Sequence, residues 1–460
     1  MGSLAGLLRA KGHRVTGSDE GVYPPMSMVL EGLGIEYATS FDPAHLDPTP
    51  DAVIVGNAIS RGNPELEAAL ERRLRYVSSA EVLKEEFLRG RHVLAVAGTH
   101  GKTTTSSLLA WLLEGAGLAP SFLVGGVAEN FGTSFRLTNS ALFVVEADEY
   151  DTAYFDKGPK MWHYLPQTAV VTNVEFDHAD IFRDERAYRF VFERFVNLIP
   201  RTGMLVLGWD SPLARALGSD SLAPVESFGL DVEPGKDGSA HPKWLAHDLS
   251  HGTERTTFTI VRDGREVGTV SSPLAGAFNV RNCLAAVAAA SAVGAPWEAV
   301  VEGLRTFRSV RRRMEIRGEE RGVIVIDDFA HHPTAIRETI DAVRQRLPGR
   351  RIVAVFEPRS YTAQRREFQE EFRRSLGRAD RVILAGLFHP ERYDRETGMD
   401  PEGLVKAIGA DGVQAEYLPD VARIVDRLAG STRPGDVLLV MSNGGFGGIH
   451  EKLLARLARG

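Results

Sequence analysis

The densest chemistry in the sequence lies in G-T-H-G-K-T-T-T, residues 98–105. Gly98 and Gly101 let the backbone turn tightly and aim N–H groups at phosphate oxygens. Lys102 adds a mobile positive charge and Thr103 a hydroxyl suited to Mg2+. With Thr99, His100 and Thr104 these residues read as a cradle for a nucleoside triphosphate. The usual phosphate-loop spacing is G-x-x-x-x-G-K-[ST], and here Val96 stands where the first glycine would be, so the loop is a shorter form. Two polar clusters follow. E-A-D-E-Y-D packs Glu146, Asp148, Glu149 and Asp151 into six residues, and N-V-E-F-D-H carries Glu175, Asp177 and His178. A cation among these groups would meet hard oxygens and one imidazole, which fits Mg2+ at an ATP site better than a dedicated zinc site. Glu146 is read as a metal ligand, against the plainer reading of a solvated strand-end acid.

The elements that must position these groups follow from hydrophobic periodicity. H-V-L-A-V-A before Gly98, A-L-F-V-V before Glu146 and T-A-V-V-T before Asn173 read as buried parallel strands. Ligands in open parallel sheets bind beyond the carboxyl ends of strands, and all three clusters fall there. Residues 203–275 read as a β-rich insertion with Asp263-Gly264 as a hairpin turn. Asn279 and Asn282, three apart at a helix start, share a face and could cap the helix or contact a base. Strand–helix alternation restarts at about residue 311. Its strand ends carry Asp327, Asp328, His331 and His332, then Arg359 and Tyr361, then Asn443. Arg311, Arg312 and Arg313 mark the join and suit a hinge that meets phosphates on closure.

The fold predicted is α/β with three domains. Residues 1–90 form a Rossmann-like domain, residues 91–310 a phosphate-loop domain carrying the β-rich insertion, and residues 311–460 a second Rossmann-like domain. In the first, the opening strand is missing: Met1 and Gly2 already stand at the helix entrance, so either the true start is expected upstream or the chain is a fragment. Asp19 ends H-R-V-T-G-S-D, where such folds face a ribose with an acid, although a turn aspartate fits equally. Asn57, Ala58 and Ser60 follow the strand D-A-V-I-V and could offer donors to a pyrophosphate.

The 460 residues are 43% hydrophobic and 25% charged, with a net charge of -7, which argues against a nucleic acid bound on a basic surface. The single cysteine, Cys283, excludes an internal disulfide and lies in an apolar helical run as a small core residue. Neither a membrane-spanning run nor a signal-peptide pattern is evident, so the cytoplasm is the expected compartment.

G-T-H-G-K-T-T-T at 98–105, E-A-D-E-Y-D at 146–151, N-V-E-F-D-H-A-D at 173–180, N-V-R-N at 279–282 and D-D-F-A-H-H-P-T at 327–334 resemble the Mur ligases, over nearly the whole chain. These are ATP-dependent, amide-forming enzymes of peptidoglycan metabolism. Y-P-P-M-S, G-N-A-I-S-R-G-N-P-E and V-M-S-N-G-G-F-G-G-I-H resemble the branch that attaches L-alanyl-γ-D-glutamyl-meso-diaminopimelate to UDP-N-acetylmuramate, with the L-alanine-adding branch as the alternative. An ATP-hydrolysing binding module is the competing class. The resemblance implies ATP and Mg2+, with UDP-N-acetylmuramate and the tripeptide as substrates and no obligate protein partner. It implies that Lys102 steadies the phosphates and that Thr103 and Glu146 hold one Mg2+ while His178 helps hold a second. Asn279 and Asn282 would contact the nucleotide, Arg312 or Arg313 and Asp328 would complete the ATP site, and His331 would face the substrates. Some relatives carry a carbamylated lysine near the second metal. No lysine occurs from Arg183 to Asp210 here, leaving an acid such as Glu193, or water, for that position.

Overall fold

The computed structural model describes residues 1–22, 26–177, 181–230, 241–394 and 396–459. His178 and the first three residues of the Y-P-P-M-S segment lie outside them. A ten-stranded sheet occupies the middle of the molecule. From one edge its order is Arg265–Ser272, Thr256–Arg262, Trp244–His251, Val225–Leu230, Met204–Gly208, Pro166–Val171, His92–Ala97, Leu142–Glu146, Ser121–Ala128 and Thr133–Arg136. The central strand His92–Ala97 is buried on both faces beyond His92, which is why its sequence runs apolar without alternation. It pairs in parallel with Pro166–Val171 and Leu142–Glu146, with Ala97 opposite Val171 and Val96 opposite Glu146. That register ends three strands at one level and forces the loops after them together.

Helix Lys102–Gly115 packs on helix Ala277–Ala292, whose alanine-rich face permits close approach. Cys283, on the second of these helices, is buried beside Ser272, and burial pushes its thiol up to about 12. The expected insertion is not a separate lobe. Met204–Gly208 and Val225–Leu230 extend the central sheet in parallel, and Trp244–His251 continues it before the antiparallel pairs begin. Asp263 and Gly264 take φ of 50° and 75° between paired Arg262 and Arg265, a two-residue turn of the kind their sequence favours.

The last 150 residues build a six-stranded sheet in the order Glu315–Glu320, Val323–Asp328, Val437–Met441, Ile352–Phe356, Arg381–Leu384 and Gln414–Tyr417. All pairs are parallel except the first, an antiparallel edge strand. Near the N-terminus, helix Gly2–Ala10 is followed by two separate parallel pairs, Thr16–Ser18 with Glu36–Ala38 and Val53–Val55 with Tyr76–Ser78. The Rossmann-like alternation expected there is thus present as two parallel pairs that do not join into one sheet. Gly6 of that helix seats against Phe135 of the central sheet so closely that a Cβ would fall 2.1 Å from the ring.

Candidate active site

The loop Gly98–Gly101 joins the central strand to helix Lys102–Gly115. Gly98 and Gly101 have φ of +132° and +83°, and a Cβ would lie 2.1 Å from Thr172 Oγ1 at the first and 2.4 Å from Asn282 Oδ1 at the second. Both positions therefore require glycine on conformational and steric grounds. Gly101 is the helix N-cap and offers no side chain to its first turn, which leaves backbone N–H groups and the positive dipole end for an anion. Asn173 braces the loop from the neighbouring strand end: its Oδ1 accepts from the His100 N–H at 2.9 Å, and its Nδ2 donates to the His100 carbonyl at 3.1 Å.

Lys102 donates to the Gly98 carbonyl at 2.6 Å and to the two carboxylate oxygens of Glu149 at 2.8 and 3.1 Å. Burial pulls the lysine down, but Glu149, Asp148 and Glu146 outweigh it and hold the ammonium above its usual value. Glu149 is fully buried and also accepts from the Tyr188 hydroxyl at 3.2 Å. Thr103 Oγ1 donates to Glu146 Oε1 at 3.0 Å, and Glu146 Oε2 accepts from the Gly125 N–H at 2.6 Å. Burial first, and then Asp148, push the Glu146 carboxyl above the ordinary carboxylate range. A pocket that strains to keep its carboxylate ionised is short of positive charge. Hard oxygens from a hydroxyl and a carboxylate are the donor set that Mg2+ takes, so these residues fit that ion.

The arginine run divides three ways. Arg311 pairs with Glu129 at 2.7 Å on the exposed side. Arg312 Nη2 donates to the carbonyls of Ser442 and Gly444, each at 2.7 Å, fastening the join to the last strand's loop. Arg313 turns inward, with Nη2 3.3 Å from Thr103 Oγ1 and the guanidinium 4.9 Å from the Phe329 ring centroid. Ser309, Arg312 and Met314 have φ of 74°, 61° and 50°, which is how successive side chains diverge so sharply. Asp328 accepts from the Met314 and Ala330 N–H groups, both at 2.8 Å, and so braces this join from the third sheet.

A cleft of about 2550 Å3 runs through all of this, well above the roughly 300–1,000 Å3 of a single-ligand pocket. Asp19, Asn57, Ala58, Thr99, His100, Gly101, Lys102, Thr103 and Thr104 line it with Glu146, Asp148, Asn279, Asn282, Arg312, Arg313, Asp328 and His331. Ser60 and Arg359 do not. Ser60 is exposed on its loop, while Arg359 stacks on Phe388 at 3.8 Å behind Gly444. Glu193 is also remote from the cleft lining and pairs with Arg189 at 2.8 Å. Neither asparagine caps its helix. Gly276 is the N-cap, Asn279 donates to the Ala275 carbonyl at 2.8 Å, and Asn282 donates to Asn279 Oδ1 at 3.0 Å. Asp19 closes a local turn by accepting from the Gly21 N–H at 2.8 Å, and Asn57 donates to the Asp151 carbonyl at 2.7 Å, tying the N-terminal segment to the small antiparallel pair Asp151–Ala153 and Asp156–Pro159. Sequence reasoning missed Glu149 and Asn173 as partners of the loop. Both follow strands that flank the loop's own, the one signal that singles them out.

Three family models match the chain in order. They are the Mur ligase family catalytic domain over residues 1–91, the Mur ligase middle domain over 96–290, and the Mur ligase glutamate ligase domain over 312–444. The chain is 44% identical over 463 residues to the UDP-N-acetylmuramate–L-alanyl-γ-D-glutamyl-meso-2,6-diaminoheptandioate ligase of Escherichia coli K12, covering 100% of this chain and 96% of that one. It is 36% identical over 468 residues to the UDP-N-acetylmuramate–L-alanine ligase of Kineococcus radiotolerans, covering 100% and 94%. The crystal structure of a murein peptide ligase from Psychrobacter arcticus superposes with a TM-score of 0.74 at 36% identity, covering 100% and 96%. With its phosphate loop, its divided arginine run and these full-length matches, the chain belongs to the Mur ligase family.

Proposed function

We propose that this ATP-dependent, amide-forming ligase joins L-alanyl-γ-D-glutamyl-meso-diaminopimelate to UDP-N-acetylmuramate, in the cytoplasm, during peptidoglycan recycling. The observation that carries the substrate assignment is the 44% identity to the tripeptide ligase against 36% to the alanine ligase, each over the whole chain. No helix among the described residues is long and apolar enough to cross a membrane.

ATP supplies the phosphoryl group that converts the muramyl carboxylate, a poor acyl donor, into an acyl phosphate; attack by the peptide's α-amine then forms the amide and releases phosphate. The chain's own residues supply position and fixed charge, on which phosphoryl transfer chiefly depends. Lys102 and Arg313 set positive charge against the phosphates, and the backbone of Gly98–Thr104 cradles them. Thr103 and Glu146 would hold Mg2+, and the family resemblance assigns His178 to a second ion. Asn279 and Asn282 face the nucleotide, while Asp328 keeps Arg313 aimed by bracing Met314. Asp19, Asn57 and Ala58, which line the cleft, are assigned to the UDP-sugar, and His331 to the reacting carboxylate and the peptide, whereas Ser60 and Arg359, outside the lining, take no role.

The test offers L-alanine and tripeptide in parallel to the enzyme with UDP-N-acetylmuramate and Mg-ATP, following amide product by mass spectrometry and phosphate release by a coupled assay. Amide formation with the tripeptide at many times the alanine rate is expected. Preference for L-alanine overturns the assignment, and phosphate without amide makes the chain an ATP-hydrolysing binding module.

A further inference from the structure

Beside the nucleotide cleft, three segments far apart in sequence bring two imidazoles and a carboxylate together. His100 comes from the phosphate loop, Glu175 from the loop after Pro166–Val171, and His332 from the N-cap of helix Pro333–Arg346 in the third domain. His100 Nε2 lies 3.0 Å from Glu175 Oε2, and His332 Nδ1 lies 3.8 Å from the same oxygen. The two rings lie with centroids 4.9 Å apart, tilted by 42°. Thr334 Oγ1 donates to the other Glu175 oxygen at 2.5 Å, orienting the carboxylate so that Oε2 points at the imidazoles. His332 is only 4% exposed; its Nε2 is buried with no hydrogen-bond partner and its Nδ1 receives just a 3.4 Å contact from the Thr334 N–H.

We propose that His100, Glu175 and His332 form a binding site for a borderline transition-metal ion of the zinc class, separate from the Mg2+ ligands Thr103 and Glu146 and bridging the middle and third domains. Two imidazole nitrogens and one carboxylate oxygen are a set that zinc accepts with a fourth position left open. Mg2+ prefers an octahedron of oxygens and gains little from paired imidazoles. The donor atoms lie within 4.8 Å of one another. Donors around a tetrahedral zinc are roughly 3.3 Å apart, so an inward movement of His332 by about an ångström completes the site. The Thr334 hydroxyl on the carboxylate is the outer-shell support that metal-binding carboxylates commonly have. Because its ligands belong to two domains, the ion fastens the third domain against the phosphate loop. Zinc-class ions therefore slow turnover by opposing reopening, and they raise the temperature at which the domains part.

Co2+ serves as the spectroscopic probe on the full chain, without nucleotide and with Mg2+ in excess to fill oxygen-only sites. One Co2+ per chain with the strong visible absorption of a low-coordinate imidazole site is expected, displaced by Zn2+ and weakened more than about tenfold in affinity by His332→Gln and by Glu175→Gln. Circular dichroism checks that each variant folds, and His100→Gln, at a less buried position, replaces either one that does not. Only the weak absorption of hexaaquo-like Co2+, or tight binding that all folded variants retain, overturns the site.

Discussion

Glu149→Gln isolates the partnership that holds Lys102. The substitution keeps the side chain's shape and one carbonyl acceptor but removes the charge that faces a nearly buried ammonium 2.8 Å away. Breaking a buried ion pair by neutralising one partner costs about 3–5 kcal/mol, because the other charge stays desolvated. Lys102 retains the Gly98 carbonyl at 2.6 Å, so the lower end, about 3 kcal/mol, applies. At about 2 °C per kcal/mol for a unit of this size, calorimetry should record a fall of about 6 °C in the transition of the central sheet. The pH dependence follows from the raised lysine. Its stabilising contribution is complete below the unfolded value of about 10.5 and disappears as pH rises through the still higher folded value. The gap between wild type and variant should therefore be flat through neutral pH and close only under strong alkali. A fall of less than about 1 °C, or a gap that is widest in alkali, would refute the argument that Glu149 holds Lys102 in place.

Arg313→Ala removes a fixed charge beside Thr103 and should lower kcat/KM for ATP by about a hundredfold, whereas Arg311→Ala, which loses only the exposed pair with Glu129, should change it less than about twofold in the same steady-state assay. Gly101→Ala combines a left-handed φ with a clash against Asn282 and should abolish binding of a non-hydrolysable ATP analogue by calorimetry; Gly12→Ala, at φ +99° with open space around it, costs only backbone strain and should leave binding intact. Cys283, buried with its thiol pushed up to about 12, should resist thiol reagents at neutral pH until denaturant is added; rapid labelling of the native enzyme would contradict its burial.

What could be read from sequence was whatever residue type alone decides. Glycines at 98 and 101, a lysine and a hydroxyl directly after them, and an apolar run before them admit few structures, and the loop is formed as expected. Direction was not legible. Three adjacent arginines look alike in a sequence, and only the positive φ values at Ser309, Arg312 and Met314 separate their destinations. Four acids within six residues likewise gave no sign that Glu149 is the one driven into the interior. The strand Glu315–Glu320 escaped notice because E-I-R-G-E-E lies at a sheet edge, where charge replaces the apolar alternation that marks a strand. For Asn279 the sequence leaves a helix cap and a nucleotide contact both open; backbone geometry gives the cap to Gly276 and leaves the asparagine in the cleft lining.

Helix Gly2–Ala10 and the segment from Ala80 to Leu88 send Leu4, Leu7, Leu8, Leu83, Phe87 and Leu88 into the same apolar cluster as Val93 and Phe143 of the central sheet and Phe192 of helix Glu185–Val196. Away from that cluster, the N-terminal ninety residues contribute the small cluster of Leu46, Ala68 and Ala69. A cluster that size cannot offset the chain entropy of ninety residues, so modular boundaries and cooperative boundaries do not coincide. Three sequence modules should therefore melt as two bodies, which calorimetry would record as two transitions. A chimera that exchanges residues 1–90 for those of a relative must therefore bring the matching face of strand Thr133–Arg136, where Phe135 receives Gly6. A cut made at the linker alone would divide a single hydrophobic core.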